Sequence, residues 1–79
     1  MKLLIRNLNR KTSEAALCEL VKAYGMVDSC DLVIDKKTGE SKGFGFAEMP
    51  NDEEANEAIK MLNAKVVSGN KIRVKKADA

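Results

Sequence analysis

Histidine and tryptophan are both missing from the 79 residues, and aromatic side chains of any kind make up only 4% of them. Without histidine, neither Ser29 nor Cys18 has the imidazole base that activates such a nucleophile, so nothing here points to an enzyme. Cysteine occurs twice and never in a Cys-x-x-Cys pair, which leaves no ligand set for zinc. The two isolated thiols read as small buried apolar side chains in a reducing cytosol. No run approaches the length of about eighteen apolar residues that a membrane span requires. The N-terminus has no basic region followed by a long apolar run, so no signal peptide is expected. No Gly-Lys-Ser/Thr follows a glycine-rich loop, and the glycines of "GFGF" lie inside a strand pattern. Neither a cofactor nor a small-molecule substrate is therefore expected.

Charge of one sign is also in short supply: fourteen basic and twelve acidic residues leave a net +2. The placement of the charges, not their sum, must indicate a partner. What is present, 44% hydrophobic and 33% charged residues, suits one soluble globular domain spanning 1–79.

"KLLIR" (2–6) reads as a strand. Ser13 can cap a helix running to about Tyr24, with Leu17, Leu20, Val21 and Tyr24 at helical spacing, and Gly25 is expected to end it in a left-handed conformation. "MVDSCDLVI" (26–34) is a second strand whose facing is less clear. The charged loop "DKKTGESK" (35–42) joins it to a third, "GFGFAEM" (43–49), which Pro50 ends. Asn51 with Glu54 forms a helix-start signal, and Ala55, Ala58, Ile59 and Leu62 trace one apolar face. "VVSGN" (66–70) carries a turn, and "KIRVKK" (71–76) is the last strand. The order is β-α-β-β-α-β, an α+β ferredoxin-like sandwich: a four-stranded antiparallel sheet with two helices on one face. Its other face is open.

Strand alternation assigns residues to these faces. Leu3 and Ile5 oppose Lys2, Leu4 and Arg6 in the first strand; Ile72 and Val74 oppose Lys71, Arg73 and Lys75 in the last. In each, the apolar set must meet the helices. The third strand sorts the same way only if Gly43, Gly45, Ala47 and Met49 face the helices, leaving Lys42, Phe44, Phe46 and Glu48 on the wet face. Core burial is the ordinary fate of paired phenylalanines, but here it would carry Lys42 and Glu48 inward too. Two exposed aromatic rings among lysine and arginine suit single-stranded nucleic acid, whose bases stack and whose phosphates seek cations. The second helix, on the far side, carries Asp52, Glu53, Glu54 and Glu57. A solvated cationic edge that blocks strand pairing accounts for the lysines alone, but not for the phenylalanines.

From Lys2 to about Ala77 the chain resembles an RNA recognition motif. "KGFGFAEM" (42–49) matches the family's eight-residue signature at its basic first position, its glycine, both aromatics and the small residue between them. "LLIRNL" (3–8) resembles the companion six-residue signature, and "EAALCELVKAYG", "EEANEAIKMLNA" and "SGNKIRV" resemble the family's helices and final strand. The resemblance implies that Phe46 stacks on a base and Phe44 packs against sugar or base. It further implies that Lys42 meets the backbone, with Lys2, Arg6, Arg73 and Lys75 in support. Leu4 stands where the family usually has a third aromatic, which implies weaker binding. Met49 and Ala47 also depart from the signature, affecting packing more than recognition, and Asp31 with Glu48 would temper affinity for phosphate.

The implied function is non-catalytic binding of single-stranded RNA, with ssDNA as a related ligand. A protein-interaction module on the same fold is the alternative that Leu4 leaves open. A monomer in the cytoplasm, or in the nucleus of a eukaryote, is expected. Opening on Met1 with little beyond the motif, the chain resembles stand-alone single-motif RNA-binding proteins of bacteria, and equally a domain excised from a longer protein.

Overall fold

A computed structural model describes residues 1–77; residues 78 and 79 of the expected domain lie outside the described residues. The elements are β1 (Lys2–Arg6), α1 (Glu14–Lys22), β2 (Ser29–Ile34), β3 (Ser41–Glu48), α2 (Asp52–Leu62), β4 (Val66–Val67), β5 (Asn70–Lys71) and β6 (Arg73–Lys76). Four of the strands form one sheet in the order β2-β3-β1-β6, with every neighbouring pair antiparallel. The expected sandwich is present, with one element added.

That element is the β4–β5 hairpin, in which Val66 pairs with Lys71 and Val67 with Asn70. Ser68 (φ 51°) and Gly69 (φ 83°) form its two-residue turn. Positive φ at both central positions is the geometry whose twist matches that of the flanking strands. The hairpin takes Lys71, expected on the last strand, out of the main sheet, so that strand begins at Arg73.

Both helix starts follow their signals. Ser13 accepts a hydrogen bond from the Ala16 amide, and Asn51 from the Glu54 amide, each satisfying a first-turn donor. Glu54 does not return the bond as a reciprocal capping pair would. Its carboxylate instead accepts from the Met26 amide at 3.2 Å. This explains Gly25, whose φ of +155° lies far from the left-handed helical conformation expected of it. A Cβ there would come within 2.7 Å of the Glu54 side chain, and the φ itself is one that residues with a side chain rarely adopt, so backbone conformation and close approach together select glycine. The first helix stops at Lys22 and the second strand starts at Ser29, both shorter than expected.

The core forms where the alternation places it. Leu3 and Ile5 from β1, Ala47 from β3, Met49 just beyond it, and Ile72 and Val74 at the sheet's other edge are buried against Leu17 and Val21 of α1 and Ala55, Ala58 and Leu62 of α2. Each fully buried large aliphatic contributes roughly 1.5–3 kcal/mol. Gly45 sets how closely α1 approaches, because the Leu17 side chain and the Asp31 carbonyl oxygen occupy the space a Cβ would need.

Cys18 and Cys30 are unbridged and only half-buried, less enclosed than the sequence suggested. Cys18 lies on α1 with its Sγ 4.0 Å from the Cys30 carbonyl oxygen on β2. Burial, then the neighbouring Cys18 thiol, pushes the Cys30 thiol up to about 12.

Candidate nucleic-acid interface

The cross-strand register places the open face residue by residue. Directly opposed residues in an antiparallel sheet project to the same side. Leu4 opposes Phe46 on one side and Lys75 on the other, while Phe46 also opposes Asp31. Arg6 opposes Arg73, and Lys2 opposes Glu48. Phe44 meets Phe46 ring to ring, and Lys42 lines a groove with Phe44 and Arg6, so the eight residues expected at the site gather on the face that the helices leave uncovered. Lys2, Arg6, Lys42, Arg73 and Lys75 are exposed; Leu4, Phe44 and Phe46 are half-buried. The second strand contributes Asp31, exposed, to the same face.

The two phenylalanine rings meet edge to face, with centroids 6.1 Å apart and planes at 86°, a favoured aromatic geometry. The Lys2 Nζ lies 4.7 Å from the Phe46 centroid.

Beyond Phe44 the face continues into a groove of about 460 Å³ lined by Arg6, Arg10, Lys42 and Phe44 together with Asn7, Asn9 and Asn70. The asparagines build it. Asn7 donates from Nδ2 to the Lys71 carbonyl at 2.8 Å, and Asn70 donates to the Asn7 carbonyl at 3.2 Å. Asn9 donates to the Ser68 carbonyl at 3.0 Å. These bonds clasp the β1–α1 loop to the hairpin and hold Arg10 beside the ring. Asn7 adopts φ 60°, a conformation asparagine tolerates better than most residues. Arg10 and the asparagine clasp are the features that sequence reading missed. Arg10 sits in a loop without periodicity; its only signal was a cation a few residues beyond a strand of the binding face.

Electrostatically the molecule is two-sided. The cations named above share the open face, while α2 on the opposite side begins with Asp52, Glu53 and Glu54.

A family model described as RNA recognition motif matches residues 3–73. The chain belongs to the RNA recognition motif family. Among solved structures, the motif superposes on the crystal structure of RNA Binding Protein PG1 with a TM-score of 0.93 at 39% identity, covering 98% of this chain and 93% of that one. A Sxl-lethal protein/RNA complex gives a TM-score of 0.93 at 28% identity, covering 99% of this chain and 47% of that one. Glycine-rich RNA-binding protein 4, mitochondrial, of Arabidopsis thaliana is 34% identical over 73 residues, 92% of this chain and 54% of that protein. The chain spans between 19% and 54% of the length of such curated relatives.

Proposed function

We propose that this RNA recognition motif, read as a single domain over 1–79, is a non-catalytic binder of single-stranded RNA. The observation that carries this reading is the pair of accessible rings, Phe44 and Phe46, on a sheet face bordered by five cations. Phe46 stacks on a base and Phe44 packs against the neighbouring sugar or base. Lys42, Lys2, Arg6, Arg73 and Lys75 meet phosphates, and Leu4 gives an apolar contact without stacking. The face holds about two to four nucleotides. Single-stranded DNA offers the same bases and phosphates and binds in the same way. The motif acts as a monomer and needs no cofactor. Its unbridged thiols suit a reducing compartment, the cytoplasm among them; the mitochondrial designation belongs to the relative.

Leu4, in place of a third aromatic, favours one other reading: a protein-interaction module using the same face. An amide chemical-shift titration with a randomised short RNA separates the two. Shifts centred on Leu4, Lys42 to Phe46 and Arg73 that fade at high salt are expected. No response on that face from an intact fold would overturn RNA binding and leave the protein-binding reading.

A further inference from the structure

We propose that Asp31 selects the base stacked on Phe46, in favour of guanine. This rests on the RNA-binding reading and adds base identity to it.

One row crosses all four strands of the sheet: Asp31, Phe46, Leu4 and Lys75, each directly opposed to the next. Carboxylate, ring, aliphatic and ammonium thus lie in line. Opposed side chains start about 4.5–5.5 Å apart at Cβ, so a base lying on Phe46 brings an edge to the Asp31 carboxylate. Asp31 is exposed and belongs to no ion pair among the described residues.

The surrounding charges decide what approaches it. Lys2, Arg6, Arg73 and Lys75 all lie on β1 and β6. Lys42 is at the start of β3, four residues from Phe46. Residues 29–34 of β2 hold no cation. Phosphates are drawn toward β1 and β6, and the Asp31 charge repels them at the β2 edge. A base edge bearing N–H groups is the part of a nucleotide that fits there.

A carboxylate only accepts hydrogen bonds, through two oxygens. Guanine alone among the four bases places two N–H donors side by side on its Watson–Crick edge, N1–H and the N2 amino group. They match both oxygens in two parallel bonds, the counterpart of the arginine–carboxylate fork. Cytosine and adenine offer one amino group beside a ring nitrogen that the carboxylate repels. Uracil offers one N–H between two carbonyls. The order is therefore guanine first and uracil last.

Four labelled hexamers test this by fluorescence anisotropy: all-uridine, and uridine with one central guanosine, cytidine or adenosine. Wild type is expected to bind the guanosine probe about tenfold more tightly than all-uridine, within the discrimination of one bidentate base contact. Asp31→Asn removes a charge that repels phosphate, so the all-uridine probe gains affinity, while loss of the paired acceptor oxygens cuts the guanosine preference to within about twofold. Phe46→Ala weakens all four probes and tests the parent reading separately. Equal wild-type affinities, or an Asp31→Asn effect common to all probes, would overturn the base-selecting role while leaving RNA binding intact. Failure of wild type to bind any probe would overturn RNA binding itself, and this inference with it.

Discussion

The Lys2 ammonium lies over the face of Phe46, 4.7 Å from the ring centroid. A base stacking on Phe46, as proposed, would take the place of that ammonium. An exposed cation–π contact stabilises by about 0.5–1 kcal/mol, less than the roughly 1–3 kcal/mol of a stacked base, so the base is expected to win and to turn Lys2 toward phosphate. Lys2→Ala is therefore expected to weaken binding at low salt and to match or exceed wild type at high salt. Anisotropy titrations over a salt series check this; a deficit undiminished by salt would contradict it.

Leu4 lies between Phe46 and Lys75 on the open face and is the one member of the central row replaceable by a stacking ring. Leu4→Phe is expected to tighten RNA binding about tenfold, as one added stack would. Phe46→Ala should weaken it by about fivefold to a hundredfold. Calorimetry on both variants, with circular dichroism to verify the fold, measures the pair of effects.

Arg10 lines the groove beside Phe44 and should neutralise a phosphate of a strand that runs past the sheet. Arg10→Gln is expected to lower the slope of log affinity against log salt by about 0.7, the share of one single-strand phosphate contact. An unchanged slope would mean that RNA ends at Phe44.

The strand faces could be read from sequence because β1, β3 and β6 each pair an apolar set with a charged one. Charge and apolarity alternate with the period of the pleat, and only one assignment satisfies all three. The second strand alternates less clearly, and the place of Asp31 becomes definite only through its pairing with Phe46. The β4–β5 hairpin is too short for any periodicity to announce it. Gly25 looked like a helix terminator because its neighbour in space, Glu54, is 29 residues away in the chain. Arg10 stayed out of sight because its position depends on asparagines clasping two loops more than 55 residues apart.

Gly45 is where α1 and the sheet touch most closely. An added Cβ would come within 2.6 Å of the Asp31 carbonyl oxygen and 2.7 Å of Leu17 Cδ2. Gly45→Ala is expected to destabilise the fold by about 1–3 kcal/mol, as overpacking a core does. Urea denaturation of the variant measures it.

The Cys30 thiol is pushed up from 9.0 to about 12, by burial first and by Cys18 second. A pKa raised on folding contributes stability that is fully present below the unfolded value and lost as pH rises toward the folded one. The window is therefore about pH 9 to 12. Melting temperatures at pH 8, 9.5 and 10.5 should fall more steeply for wild type than for Cys30→Ala. Cys30 should also resist alkylation at pH 8 in the folded protein, since the thiolate is the reactive form.

The division of charge between the sheet face and α2 also has a kinetic consequence. A body positive on one side and negative on the other has a dipole, and a polyanion's field turns it before contact. Collisions that present the acidic helix are rejected, and those that present the rings are enriched. Part of the search for the correct orientation is thus completed during diffusion, and association slows as salt shortens the reach of the field. With a net charge of only +2, the motif gains this guidance while carrying little overall attraction to hold it on nucleic acid at random.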